Sequence, residues 1–100
     1  MILAIVTFHF EDDFDPEHFA ATSRARRDFY VGLEGLRQKL YWVDREHKEA
    51  GGAYVWESRE AAERVYTSQW KEGAERSFRA KPDVRFLDVT DVIVNRPVND

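Results

Sequence analysis

The alternation of apolar and polar positions divides the chain into short strands and amphipathic helices. Residues 2–10 are rich in β-branched and aromatic types and too short for a core helix, so they predict a buried strand. Residues 36–46 and 53–57 also have strand patterns, and a Gly-containing turn over 48–52 is predicted to join them as a hairpin. Residues 84–94 predict the last strand.

The first predicted helix follows the first strand. Asp15 is a residue type that caps helices and Pro16 is favoured in a first turn, so the helix is expected to start there and to reach about Val31. Its inward face contains Arg26 among residues that could pack. The guanidinium either projects into a polar cavity or reaches water while its stem lies on the core.

The second helical region precedes the last strand. Ser58 is expected to cap a helix whose apolar residues recur at helical spacing as far as Trp70. Gly73 is expected to break it, leaving a short helical piece over 74–80 that Pro82 ends.

The resulting order β-α-β-β-α-β is that of the ferredoxin-like α+β fold, with a four-stranded antiparallel sheet and two helical layers on one face. A single domain over residues 1–100 is expected. The first strand is apolar on both of its faces. Its even-numbered residues form one apolar face, and Leu3 and Ile5 lie on the other. The sheet face away from the helices therefore also needs cover, and we expect a homodimer.

Composition narrows the classes of function. Lys and Arg number 15 and Asp and Glu number 19, a net charge of −4, which argues against a nucleic-acid-binding module. The absence of Cys excludes disulfides, thiolate metal sites and a Cys nucleophile. The longest apolar run, Met1–Val6, is too short to span a membrane and lacks the basic start of a signal peptide, so a soluble cytoplasmic protein is expected. No metal site is expected, and no glycine-rich phosphate loop supports a nucleotide or flavin cofactor.

One set of motifs resembles a known family. It comprises Gly35-Leu36, Lys39, Tyr41-Trp42, the string Glu49-Ala50-Gly51-Gly52-Ala53-Tyr54-Val55-Trp56, and a following helix with Ala62 and Tyr66. These residues resemble the YdhR-like monooxygenases of the dimeric α/β-barrel superfamily, which also contains the antibiotic-biosynthesis monooxygenases. The resemblance implies a homodimer in which two sheets face each other to close a barrel. It also implies a cavity between sheet and helices in each subunit.

Relatives with known chemistry in that superfamily oxygenate polycyclic phenols or anthrones without flavin or metal, or degrade haem. The haem-degrading proteins use an Asn on the first strand and a Trp and a His on the second helical region. Here the first strand offers Thr7 and His9, and no His follows His47. The resemblance therefore disfavours haem degradation.

His9 is the candidate base for cofactor-independent oxygenation, which requires deprotonation of the substrate in a dry cavity. Imidazole is the side chain that most readily gains and loses a proton near neutral pH, and His9 sits in an apolar strand. It would serve the cavity if it points at the helices. The alternative is a His at the strand end that is exposed or bonded locally.

Candidate substrate-binding residues are aromatic or cationic. Aromatic side chains could stack on a planar substrate, or simply form the core and the dimer interface. Arg26 and Arg85 could pair with a substrate oxygen, or be salt-bridged surface residues. Neighbouring strand residues point to opposite faces, so Tyr41 and Trp42 are not expected to line one pocket. The aromatic candidates are Tyr54, Trp56, Tyr66 and Trp70.

Three functions remain open at this point. The first is a cofactor-independent monooxygenase acting on a small planar aromatic or phenolic substrate. The second is a non-catalytic dimer that binds a hydrophobic small molecule. The third is an isomerase or cyclase of the same superfamily that uses the same base without oxygen.

Overall fold

The structure, a computed structural model, describes residues 1–96; residues 97–100, the end of the expected single domain, lie outside it. The strands form one antiparallel sheet in the order β2-β3-β1-β4, which confirms the ferredoxin-like α+β fold. No helix within residues 1–96 is long and apolar enough to cross a membrane. The elements are β1 (Ile2–His9), α1 (Pro16–Ala25), α2 (Arg27–Tyr30), β2 (Leu36–Asp44), β3 (Glu49–Trp56), α3 (Arg59–Val65), α4 (Ser68–Phe78) and β4 (Pro82–Asp88).

The two faces of the sheet differ in how they are covered. Even-numbered residues of β1 point at the helices and are buried, whereas Leu3, Ile5 and Thr7 on the other face are half-buried. On the helix side, Phe8, Phe19 and Phe78 pack ring on ring, and Trp56 is fully buried. The centre of the space between sheet and helices is therefore filled by aromatic side chains.

A register shift in β2 decides which of its side chains face the helices. Leu36 pairs with Trp56 and Lys39 pairs with Tyr54, with the shift falling between Leu36 and Gln38. The extra residue of such a bulge changes the side-chain parity of the strand. As a result, both Leu36 and Lys39 lie on the helix side, although their spacing would place them on opposite faces of a regular strand.

The hairpin differs from its prediction. β3 begins at Glu49, four residues before the predicted position 53, and the turn lies at 45–48 instead of 48–52. The Asp44 carboxylate accepts a hydrogen bond from the His47 N–H at 3.2 Å, and Lys48 takes the positive φ that closes the turn. Gly51 lies inside the strand and not in the turn. A Cβ at this position would overlap the carbonyl oxygen of Val6 in β1.

Both helical regions break at places other than those predicted. The first predicted helix, extending to Val31, is divided at Arg26 into α1 and α2. The second breaks after Tyr66, because the Thr67 hydroxyl accepts a hydrogen bond from the Trp70 N–H at 3.2 Å and starts α4. Gly73, the predicted break, lies inside α4.

The last strand is shorter than predicted and starts earlier. Arg79 ends α4 in the left-handed conformation, so Pro82 begins β4 instead of ending a helix. β4 stops at Asp88, which pairs with Ile2 at the start of β1. Beyond Asp88, the Val89 N–H donates a 3.2 Å hydrogen bond to the Met1 carbonyl oxygen, and the strand predicted over 84–94 does not continue.

We predict opposite effects for two Gly→Ala substitutions. Gly51→Ala should destabilise the protein by roughly 3 kcal/mol or more, because its methyl group meets the backbone of β1. Gly73→Ala should stabilise it by roughly 0.5–1 kcal/mol, because the helix gains a better former and the site has room. Urea unfolding measures both. Equal effects of the two substitutions would contradict the packing described around Gly51.

Candidate functional site

Lys39 has the most unusual environment of any charged side chain in the described structure. Its Nζ lies 3.3 Å from the ring centroid of Tyr30, 4.0 Å from that of Tyr41 and 4.3 Å from that of Tyr54. It also donates a 2.6 Å hydrogen bond to the Tyr41 hydroxyl. None of the salt bridges within residues 1–96 involves Lys39. The amine is thus enclosed by ring faces instead of being paired with a carboxylate.

Three elements bring these residues together. The rings of Tyr30, Tyr41 and Tyr54 form a cage around the Lys39 amine. The β2 bulge turns Lys39 and Tyr41 towards the helices, Tyr54 lies opposite Lys39 on β3, and Tyr30 contributes its ring from α2. Gly52, the β3 partner of Tyr41, is essential to the arrangement. A Cβ at that position would lie 2.9 Å from the Tyr54 ring, so any side chain there would push the ring out of place.

Burial, and then the positive charge of Arg26, lower the pKa of Lys39 from its ordinary 10.5 to about 6. The Arg26 guanidinium is held on the helix side by a 3.1 Å hydrogen bond to the Ser77 hydroxyl, and it lies 5.5 Å from the ring centroid of Phe78. The tyrosine faces offset part of the cost of burying the ammonium form. At neutral pH Lys39 is therefore mainly a free amine, which can accept a proton or attack an electrophile.

Two of the tyrosines around Lys39, Tyr41 and Tyr54, remain protonated. Burial, reinforced by Tyr30, raises the pKa of Tyr41, and the same two causes raise the pKa of Tyr54. The Tyr30 hydroxyl accepts a 3.0 Å hydrogen bond from the Trp70 indole N–H. The Tyr41 hydroxyl is consequently available as a proton donor beside the amine.

Two pockets open along β2 next to this cage. One of about 320 Å³ has a largely aromatic floor that includes Phe19 and Trp42, and one of about 330 Å³ contains Lys39. Arg27 and Tyr41 line both, so the pockets are adjacent. Because β2 is an edge strand, the first pocket reaches around the sheet edge and is lined by both Tyr41 and Trp42, contrary to the prediction from strand parity.

The charge of these pockets is opposite to that of the whole chain. Their lining includes the cations Arg24, Arg27 and Arg37 beside the Lys39 amine and no Asp or Glu, although the chain carries a net charge of −4. The two pockets together favour a ligand that is partly aromatic and partly anionic.

His9 lies on the sheet face away from the helices. Its side chain is 63% exposed, and its Nδ1 is 2.7 Å from a carboxylate oxygen of Glu49. Its side chain therefore does not point into the space between sheet and helices, where a base for that cavity would have to lie. Within residues 1–96, no three His, Asp or Glu side chains are grouped so that they could hold a metal ion.

The structure brings most of the other candidates together. Tyr54 and Trp56 stack at 6.1 Å, Tyr66 accepts a 3.1 Å hydrogen bond from the Trp56 indole N–H, and Trp70 packs against Tyr66. Tyr54 is part of the Lys39 cage, Trp56 and Tyr66 are buried behind it, and none of the three lines the β2 pockets. Trp70 and Arg26 line a separate opening of about 200 Å³.

Arg85 does not lie with the aromatic candidates on the helix side of the sheet. It is exposed on β4 and pairs with Ile5, so it lies on the open face of the sheet.

Sequence reasoning did not assign a role to Lys39 or Tyr30. A signal for Lys39 does exist, since it alternates with Tyr41 and Val43, which marks a cation on an otherwise apolar strand face. The bulge could not be predicted from this pattern, and a regular strand would place Lys39 on the sheet face opposite to that of Leu36.

Comparisons with known proteins give a clear result for the fold. No protein-family model matches the sequence, and a search of curated proteins found no match. Among solved structures, SnoaB, a cofactor-independent oxygenase from Streptomyces nogalater, superimposes with a TM-score of 0.69 at 12% identity, over 92% of this chain and 95% of that one. Rv0793 from Mycobacterium tuberculosis gives a TM-score of 0.69 at 14% identity, over 93% and 98%.

A third similar structure contains a ligand. It is a monooxygenase from the gene ActVA-Orf6 of Streptomyces coelicolor in complex with nanaomycin D, with a TM-score of 0.67 at 17% identity over 95% of this chain and 92% of that one. This chain has the fold of the antibiotic-biosynthesis monooxygenases. At these levels of identity the likeness concerns the fold, and the narrower resemblance to the YdhR-like group rests on the sequence motifs alone.

We predict that the stability of the protein rises with pH above about pH 6. Because the folded-state pKa of Lys39, about 6, lies below its ordinary 10.5, the unfolded chain binds the additional proton between these values. Stability should rise across that window by at most about 1.4 kcal/mol per pH unit and fall as the pH drops towards 6.

Lys39→Met should remove this contribution, and Lys71→Met, at an exposed position on α4, serves as the matched control. Urea unfolding of the three proteins at several pH values measures the difference. If Lys39→Met and Lys71→Met show the same dependence on pH, Lys39 titrates as an ordinary lysine.

Proposed function

We propose that this protein is a cofactor-independent monooxygenase of the YdhR-like group that acts on a small planar phenol or anthrone, with Lys39 as its base. The observation that carries the proposal is the free amine of Lys39 beside an aromatic pocket in a chain with this fold. SnoaB, which has a similar structure, is a cofactor-independent oxygenase.

The chemistry needs a base, an acid and molecular oxygen. Lys39 Nζ takes a proton from the substrate and becomes an ammonium ion, and the substrate carbanion or phenolate then reduces oxygen to a peroxide. The Lys39 ammonium returns its proton to the peroxide. Loss of the second C–H proton then cleaves the O–O bond and the departing hydroxide takes up that proton, so that an anthrone CH₂ and O₂ become a carbonyl group and water. The Tyr41 hydroxyl, which stays protonated, can donate to the developing oxyanion, and Arg26 adds a positive charge nearby.

The other candidate residues have indirect roles in this proposal. Tyr54 forms part of the cage, Trp56 and Tyr66 support it from behind, and Trp70 orients the Tyr30 hydroxyl by its hydrogen bond. His9 and Arg85 lie on the open face, so either could contact a substrate only from the barrel side of a dimer.

The filled centre of the molecule favours one alternative, a non-catalytic protein that binds an aromatic molecule. In this alternative the ligand would bind in the β2 pockets, which are open to solvent at the sheet edge. Saturable binding of an anthrone without oxygen uptake would support this alternative. Conversion of the substrate without oxygen uptake would support an isomerase or cyclase.

We predict that Lys39→Met lowers kcat for anthrone oxidation by about a hundredfold or more, because general-base catalysis contributes on that order. Oxygen uptake with an oxygen electrode measures the rate, and Lys71→Met is the control for removing a lysine. Unchanged turnover in Lys39→Met would exclude it as the base. Loss of turnover in His9→Ala, with Lys39→Met fully active, would assign that role to His9.

We also propose that two copies of the chain pair through the open faces of their sheets. This face carries Ile5 of β1, Leu40 and Trp42 of β2 and Val55 of β3, and Leu40 is 50% exposed. Exposed contiguous apolar surface of this kind is typical of interfaces. Two-fold pairing of the sheets would close the barrel that the sequence resemblance implies.

Sedimentation equilibrium should therefore give twice the chain mass of 11.8 kDa. Leu40→Glu should shift the protein towards monomer, because a charge would be buried against the second sheet. Val31→Glu, at an exposed apolar residue outside the sheet, should leave the mass unchanged. A wild-type monomer at all concentrations would contradict the pairing.

A further inference from the structure

The pocket around Lys39 combines features that general-base catalysis does not require. Its lining includes two cations, Arg27 and Arg37, and no acid, so an anion entering it would find no competing carboxylate. Among the described residues, neither arginine takes part in a salt bridge. The Lys39 amine therefore has neither an ion-pair partner nor a nearby acid to hold it as ammonium.

We propose that Lys39 also acts as a nucleophile, forming an imine with the keto group of an aryl β-keto acid and promoting loss of its carboxylate as CO₂. This activity goes beyond the proposed oxygenation because it consumes no oxygen. The amine, the tyrosine hydroxyl beside it and the cationic lining of one pocket carry the inference.

The reaction balances without an oxidant or reductant. Lys39 Nζ adds to the keto carbon, and the resulting carbinolamine loses water to give a protonated imine. The electrons of the C–C bond to the carboxylate move into that imine, which releases CO₂ and leaves an enamine. Protonation and hydrolysis then return the free amine and a methyl ketone, so that one β-keto acid anion and one proton become a ketone and CO₂.

Each part of the ligand class has a counterpart in the pocket. The Tyr41 hydroxyl, 2.6 Å from the amine, is placed to donate to the carbonyl oxygen that must leave as water. The rings of Tyr30 and Tyr41 can contact an aryl group. Arg27 and Arg37 attract the carboxylate, and their planar guanidinium groups suit its geometry. A lysine that lies beside another cation in a desolvated site is the type of amine that forms Schiff bases readily.

Trapping with borohydride tests imine formation directly. The protein is incubated with benzoylacetate at neutral pH under nitrogen, reduced with sodium borohydride, and examined by intact mass and peptide mapping. We expect one covalent adduct, located on Lys39. The other lysines, Lys48, Lys71 and Lys81, serve as internal controls because exposed lysines are ordinarily ammonium ions at this pH. Mapping also separates Lys39 from the N-terminal amine, which can react near neutral pH.

Variants separate the parts of the proposal. Lys39→Arg removes the primary amine and should give no adduct, whereas Lys71→Met should be labelled like the wild type. Tyr41→Phe keeps the amine and should slow adduct formation by about tenfold or more, as expected for the loss of a proton donor. Release of CO₂ from benzoylacetate should fall to the uncatalysed rate in Lys39→Arg.

The inference is overturned if the exposed lysines are labelled as fast as Lys39, or if Lys39 stays unmodified in the folded wild-type protein. These results are independent of the oxygenase, which is measured by oxygen uptake with a neutral anthrone. Labelling of Lys39 without anthrone turnover would sustain this inference while removing the proposed oxygenase.

Discussion

The burial of a lysine amine on an apolar sheet face, without a carboxylate to pair with it, is the constraint on which the candidate site depends. A buried ammonium is costly, and the structure reduces this cost through three tyrosine faces and one hydroxyl acceptor. The remaining penalty lowers the pKa of Lys39 to about 6. Both activities proposed for the protein use the free amine that results.

The aromatic interior keeps that amine in position. Tyr54 and Trp56 are held by stacking, and two indole N–H groups satisfy the hydroxyls of Tyr30 and Tyr66. No buried side-chain polar atom in residues 1–96 lacks a hydrogen-bond partner. A satisfied polar network inside an aromatic core is rigid, which keeps Lys39 directed at the pocket instead of extending into water.

The two faces of the sheet carry different sites. The helix face holds the cage and the β2 pockets, whereas the open face carries apolar side chains suited to a second copy of the chain. β2 contributes to both, since Lys39 and Tyr41 point to the helices while Leu40 and Trp42 point away. A substrate bound at this edge strand would lie close to the proposed dimer interface.

Sequence periodicity alone was enough to predict the order of the elements and the ferredoxin-like fold. Strand and helix patterns reflect local burial, and burial depends mainly on residue type. The turn at 45–48, the helix break at Thr67 and the face occupied by His9 required the three-dimensional structure. They depend on caps, on the strand register and on which residue meets its partner across the sheet.

The site shows the same division between sequence and structure. The sequence supplied a lysine two residues before Tyr41 on a predicted strand, but its regular alternation gave no reason to place Lys39 on the same face as Leu36. Only the tertiary structure decided this, through the bulge in β2 and through Gly52, which leaves space for the Tyr54 ring. A shift of one residue in register reverses every side chain that follows, and long-range strand pairing determines that shift.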